Sequence, residues 1–302
     1  MQRIPLLIMM SLISVAGLSQ EASLSENTLL WKISGNGLKT PSYLFGTIHM
    51  ICKDDAGLSA NLQKVVREAD EVYFEVDLDN LMELMGALKL FKMRGDTSFK
   101  QLYTEVEYEK VKTFFSEKSI PIPFRVLETY KPILAASMIS ELNMPCESSS
   151  AMEKEIMEEA KKYNKKIKGL ETMGYQADVL DQIPYQIQAA QLLKYIEEAG
   201  DTTVTSQSVE FDNMMDAYRA QDLKKLESLI TEGDPAISNY TEILLHQRNR
   251  NWVDKMKEIM PAKSLLFAVG AGHLPGEQGV IQLLRKMGYT VTPENNDQIR
   301  SL

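Results

Sequence analysis

The chain is poor in histidine, cysteine and tryptophan: 302 residues hold three, two and two of them. It also lacks an excess of positive charge. Thirty-three Lys and Arg face 42 Asp and Glu, for a net charge of −9 with histidine neutral. Nucleic acid and anionic membranes recruit clustered cations, so neither is expected as the main partner. The basic run KKYNKKIK, Lys161 to Lys168, reads as the solvated end of a helix. No Gly-x-Ser-x-Gly elbow or phosphate loop is present to support a serine hydrolase or a nucleotide enzyme. No stretch rich in Gly, Ser or Pro divides the chain, and it carries no tandem repeat. The two cysteines do not have the spacing of a zinc knuckle.

What the sequence does have begins at the N-terminus. Arg3 precedes an apolar run from Ile4 to Leu18, and the small residues Gly17 and Ser19 stand three and one before Gln20. This pattern predicts a signal peptide over residues 1–19; an uncleaved anchor is the alternative reading. No cysteine follows the run, which disfavours a lipoprotein anchor. No later segment is apolar enough to span a bilayer. The mature chain, 20–302, is then expected to be exported to the periplasm or the extracellular space. In an oxidising compartment Cys52 and Cys146 form a candidate disulfide, with two buried thiols as the alternative. A bridge at Cys52 would brace the loop of His49, three residues before it.

Short apolar runs alternate with longer helical periods. Candidate strands are Leu29–Ile33, Tyr43–Phe45, Val72–Val76, Lys166–Leu170, Leu265–Val269 and Tyr289–Thr292, several of them β-branched or aromatic. Ser59 is placed to cap a helix carrying Leu62, Val65, Val66 and Ala69 on one face. Thr104 with Glu107, and Ser150 with Glu153, have capping-box spacing. Pro132 suits a first helical turn. Helical patterns also cover 81–91, 174–198, 204–229 and 237–260, the first of these long ones interrupted at Pro184. The Met-rich segment around Met82, Met85 and Met93 reads as core. These patterns predict an α/β fold, a single domain with a central sheet built from the N- and C-terminal thirds and a largely helical middle.

Two of the three histidines share a setting. His49 ends YLFGTIH and His273 lies in SLLFAVGAGHLPG; each follows an apolar run and a glycine. Ligands of α/β sheets gather beyond the carboxyl ends of strands. Glu75 and Glu171 lie at the ends of two further candidate strands. Two imidazoles and a carboxylate can hold a divalent metal and leave positions open for water and substrate. The metal would acidify bound water, and a second carboxylate could take its proton. The plainer readings are satisfied structural histidines and, for Glu75, an ion pair inside the protein. His246 reads as a packing or surface residue, and the serines of CESSS as caps.

Taken together, YLFGTIH, FEVD, YKPILAA, IKGLET, HQRNRNW and FAVGAGHLPGEQGV resemble the TraB/PrgY/GumN family, which includes the Tiki-type metalloproteases. The resemblance covers almost the whole mature chain, with both Gly-x-x-His motifs in order. It implies that His49 and His273 are active-site histidines and Glu75 the motif carboxylate, with Gly46 and Gly272 beside the bound group. His49, Glu75 and His273 would be the metal ligands, for manganese or cobalt first and zinc second. Glu171, Arg248 and Asn249 match recurrent family positions; Arg248 could stabilise an oxyanion or pair with Glu171 or Glu75. The first expectation is therefore an exported metal-dependent hydrolase acting on a peptide or protein substrate. The second is a non-catalytic peptide- or haem-binding protein of the same superfamily, since fold alone does not fix chemistry. A scaffold with purely structural motifs is the third.

Overall fold

The fold is described from a computed structural model covering residues 27–118, 120, 122–142, 144–199, 206–232 and 238–297. The expected signal peptide, residues 1–19, lies outside the described residues.

The apolar runs pair as strands. These are β1 (Leu30–Ser34), β2 (Ser42–Thr47), β3 (Ile51–Cys52), β4 (Glu71–Phe74), β5 (Ser149–Ser150), β6 (Lys166–Gly169), β7 (Leu265–Gly270) and β8 (Thr290–Pro293). Six of them form one mixed sheet in the order β6-β4-β7-β2-β1-β8, and β3 pairs with β5 in a separate ribbon. β2, β7, β4 and β6 are mutually parallel, while β1 and β8 are antiparallel additions at the other edge. β7 lies between β4 and β2, and its Leu265–Val269 stretch is buried throughout. A central parallel strand covered on both faces reads as an unbroken apolar run, and LLFAV does. The sheet comes from the two terminal thirds, with β6 the one edge strand contributed by the middle.

The register sends four strands out at one rim. Thr47 sits opposite Gly270, and Phe74 lies opposite both Ala268 and Gly169. The residues that follow β2, β4, β6 and β7 therefore emerge together. Gly169 is required here: a Cβ on it would stand 2.5 Å from the backbone nitrogen of Asp77.

Helices cover the sheet and form a second apolar cluster in the middle of the chain. Ser59 caps Ala60–Glu68, and Thr104 with Glu107 closes a capping box on Glu105–Glu117. The expected 174–198 segment is two helices, Met173–Leu180 and Tyr185–Ala199, separated before Tyr185 by Pro184. The next splits into Ser206–Arg219 and Leu223–Thr231 around Gln221, which has φ 55°. Phe99, Val111, Phe115, Leu127, Ile139 and Leu192 form the heart of the second cluster.

Three expectations are corrected. Met82 and Met85 are not core: they are 81% and 64% exposed on the helix Leu81–Leu90, although Met93 is buried. That helix buries Ala87 and leaves Leu81, Met82, Met85 and Leu90 exposed. Ser150 and Glu153 do not form a capping box. Ser150 belongs to β5 and donates to Glu155 Oε1 at 2.6 Å, the helix Met152–Lys162 starts after Ala151, and Glu153 points inward. Finally, β4 ends at Phe74, so Glu75 lies one residue beyond the strand.

Cys52 and Cys146 are joined in a disulfide, their Cα atoms 5.8 Å apart across a sequence separation of 94. The surrounding ladder continues with Lys53 N–H to Ser148 O at 3.0 Å and Met152 N–H to Ile48 O at 3.1 Å. The His49 loop is thereby stitched to the chain entering the helix Met152–Lys162.

Candidate functional site

Backbone pairing persists past the strand ends. Leu170 N–H donates to Phe74 O and Glu171 N–H to Glu75 O, both at 2.8 Å. Glu75 and Glu171 thus emerge side by side. Facing them is Arg248, near the start of the helix Gln247–Ile259. The five residues before that helix, Glu242–His246, form a π-helical turn. Such widened turns shift the phase of the helix that follows, and here Arg248, Asn249 and Trp252 are all buried.

One guanidinium binds both carboxylates. Arg248 Nη2 lies 2.5 Å from Glu75 Oε2 and 2.6 Å from Glu171 Oε1, while Nε donates to Glu171 Oε1 at 2.9 Å. Glu75 also accepts from Gly270 N–H at 2.9 Å and from Gln176 Nε2 at 3.2 Å. Trp252 Nε1 donates to the other oxygen of Glu171 at 2.8 Å. A side chain on Gly270 would stand 3.2 Å from Glu75 Oε1, so glycine keeps that approach open.

His273 closes the cluster. Its ring lies 4.4 Å from the Trp252 ring, centroid to centroid. Nδ1 is 2.6 Å from Asn249 Oδ1, an acceptor, so Nδ1 carries the proton. Nε2 then offers its lone pair to Arg248 Nη1 at 3.3 Å. Asn249 is itself held by donating to Gln278 O at 2.8 Å.

Burial pushes the His273 imidazole down to about 3, against the pull of Glu75 and with Arg248 opposing a second cation. The ring is neutral at pH 7. Glu75 is held at about 2: burial opposes its ionisation, and the charge of His273 where that ring is protonated, then Arg248, His49 and the Gly270 N–H, outweigh it. With His273 neutral at pH 7, the guanidinium at 2.5 Å, helped by His49, maintains the carboxylate.

His49 stands apart from this cluster. Its side chain is 71% exposed, and Nδ1 is 2.9 Å from Glu153 Oε1. The ring is raised to about 9, chiefly by that hydrogen bond, with the charges of Glu153 and Glu75 adding to it and burial and Arg248 opposing. His49, Glu75 and Glu153 line one cleft of about 350 Å³ with Phe74, Val76, Leu78 and Met157 among its apolar walls. The structure therefore brings Glu75, Glu171, Arg248 and His273 into one bonded network, and joins His49 to it through the shared cleft.

Glu153 is the residue sequence reasoning missed. It accepts from Thr47 Oγ1 at 2.5 Å as well as from His49. A signal for it exists: Glu153 falls on the buried face that carries Ile156 and Ala160, where an acid is out of place. The two motif glycines have packing roles. A Cβ at Gly46 would be 3.1 Å from Ala271, and one at Gly272 would run into Ile230. Gly272 lines a separate cavity of about 200 Å³ with His246 and Asn249.

This geometry accompanies a sequence match over residues 29–293 to the TraB/PrgY/gumN family. The chain belongs to that family. Among its relatives, Metalloprotease TIKI1 of Danio rerio is 21% identical, across 88% of this chain and 63% of that protein. A Metalloprotease TIKI homolog of Nematostella vectensis is also 21% identical, across 88% and 66%. Uncharacterized protein YbaP of Shigella flexneri is 25% identical, across 81% and 88%. The chain spans under two thirds of the length of these TIKI relatives. No solved structure matches it.

The TIKI names of these TraB/PrgY/gumN relatives suggest a divalent metal. An ion held by His49, Glu75 and His273 needs a lone pair from each aimed at one point. Both Glu75 oxygens already accept hydrogen bonds, and Arg248 stands against Nε2 of His273. Among the described residues no group of three or more His, Cys, Asp or Glu is arranged to hold an ion. The donors, as arranged, do not fit a metal there; the guanidinium supplies the local positive charge instead. No helix among the described residues is long and apolar enough to cross a membrane.

Proposed function

We propose that the protein is a peptidase-like hydrolase working at the rim where β2, β4, β6 and β7 end. The observation that carries this reading is the position of Glu75. It is bonded into the Arg248 network and also lines the cleft of His49. The names of the TIKI relatives support peptide-bond chemistry, and the apolar cleft walls suit a peptide side chain.

In this reading His49, protonated at neutral pH, faces the scissile amide. It polarises the carbonyl oxygen while a water molecule adds to the carbonyl carbon and yields a proton to Glu75, which lines the same cleft. As the C–N bond breaks, His49 passes its proton to the departing amine and regains one from Glu75. Glu153 fixes the ring through Nδ1, and Glu75 balances its charge. Arg248, Glu171, Trp252 and the neutral His273 form the packed floor that keeps Glu75 ionised and in place. No step runs through a metal. The metal-dependent form of the reading, with manganese or cobalt favoured and zinc admissible, rests on the resemblance and the relatives' names. It requires Arg248 to give way to the ion.

The wider reading keeps a signal peptide at residues 1–19 and one family domain over 20–302, exported to the periplasm or extracellular space. The Cys52–Cys146 disulfide supports an oxidising compartment. The partner is a peptide or protein, with neither nucleic acid nor a membrane as main ligand.

A second reading, peptide binding without turnover, has a specific observation in its favour. Both site carboxylates, Glu75 and Glu171, are committed to Arg248. Digestion of a random decapeptide pool, followed by mass spectrometry with and without chelator, separates the alternatives. New termini in both arms support the hydrolase as drawn. Cleavage abolished by chelator supports the metal-dependent form. Retention of peptides without cleavage supports the binding protein.

A further inference from the structure

Glu153 Oε2 is buried within the fold and has no hydrogen-bond partner. The residue is 8% exposed and lines the cleft beside His49 and Glu75. Its other oxygen is fully occupied, accepting from Thr47 Oγ1 and from His49 Nδ1. A buried carboxylate oxygen without a donor costs free energy, and functional sites are where such atoms persist. The oxygen has almost no accessible surface, so a donor in the cleft satisfies it once the Glu153 side chain turns toward the ligand.

We infer that Glu153 is a substrate-anchoring residue whose Oε2 accepts a hydrogen bond from an N–H group of the bound peptide. The inference rests on the reading of the cleft as a peptide site. The apolar walls formed by Phe74, Val76, Leu78 and Met157 take a neighbouring side chain of the same ligand, and the Glu153 oxygen fixes its backbone. The N–H is either the peptide's free α-ammonium group or an internal amide, which share the same donor chemistry.

The Glu153→Gln variant isolates the claim. Thr47 Oγ1–H and His49 Nδ1–H both need the acceptor they now use, so the amide oxygen takes the place of Oε1. The NH₂ group is then forced to the Oε2 position, and the unpartnered acceptor becomes a donor. Glu153→Asp keeps the charge but withdraws both oxygens by one methylene, and serves if the glutamine variant fails to fold.

The test is retention of a random decapeptide pool by the immobilised protein, read by mass spectrometry. The pool is made with free and with acetylated amino termini. Wild type is expected to retain peptides about tenfold to a hundredfold more tightly than either variant, the loss of one hydrogen bond to a charged acceptor. Retention confined to free amino termini assigns the donor as the α-ammonium; equal retention of both forms assigns an amide. Equal retention by wild type and both variants overturns the inference and leaves Oε2 to water alone. A wild type that neither retains nor cleaves any peptide of the pool overturns the peptide reading itself, and the inference with it.

Discussion

Glu171 donates its backbone N–H to the carbonyl oxygen of Glu75, and one guanidinium, that of Arg248, binds both of their side chains. Two acids placed side by side by parallel strand pairing repel each other unless a cation stands between them. Arg248 is that cation, and its removal has a defined consequence. Arg248→Met is expected to destabilise the protein by about 3–5 kcal/mol, the usual effect of breaking a buried pair from one side. Chemical denaturation measures it.

The same substitution bears on metal. With the guanidinium gone, Glu75, Glu171 and His273 regain acceptor capacity. Added manganese or cobalt is then expected to raise the melting temperature of Arg248→Met and to leave wild type unshifted. A shift in wild type that a His49→Ala/His273→Ala double variant abolishes would show that Arg248 swings aside for the ion.

The pH dependence follows from two depressed groups and one raised one. Unfolded His273 takes up a proton near pH 6.5, and the folded ring resists until about 3. Stability therefore falls as pH drops through that window, by up to about 1.4 kcal/mol per pH unit per proton. Glu75, held at about 2 against 4.5, contributes stability above pH 4.5 that is lost as pH falls toward 2. His49 acts oppositely: its contribution is present below pH 6.5 and lost as pH rises through about 9. That last term is small, because the ring is exposed to solvent. Urea midpoints between pH 3 and 10 are expected to show a steep acid limb and a shallow alkaline one.

The disulfide offers a separate test. Cys52 lies three residues after His49, and Cys146 precedes Glu153 by seven. Replacing both cysteines by serine is expected to cost about 2–4 kcal/mol, by restoring freedom to a long loop of the unfolded chain. It also loosens the anchor of the His49–Glu153 pair. A broadened His49 resonance alongside an unperturbed His273 resonance would mark that local effect.

Asn249 sets the tautomer of His273. Asn249→Leu removes the acceptor at Nδ1, and the proton is expected to redistribute toward Nε2, where it faces Arg248. Nitrogen NMR of the ring reads the change directly, and an unchanged Nδ1–H signal would refute this role.

Much of the sheet was legible because burial leaves a plain signature. LLFAV is apolar throughout since β7 is covered on both faces. Both Gly-x-x-His motifs marked strand ends correctly, since glycine is what permits close backbone passage there. Two features were hidden. β3 and β5 are two residues each and exist by virtue of their partner and the adjoining disulfide, which no local pattern encodes. Glu153 matched a capping spacing, yet Thr47 and His49, more than a hundred residues away, claim its carboxylate. The Met82–Met85 face was misread for a related reason: an apolar stripe does not say whether another element covers it.

The central claim is that His49 does the chemistry at the cleft while the Arg248 network supports it. The direct measurement is the rate of new-terminus formation from the decapeptide pool by wild type and by His49→Ala, with thermal midpoints recorded on the same samples. The exposed ring makes few contacts that stability depends on, so the two midpoints are expected to agree within a few degrees. The rate is expected to fall by about 10²–10⁴-fold, the range for loss of a general acid. Equal rates for the two proteins, at equal stability, would contradict the account.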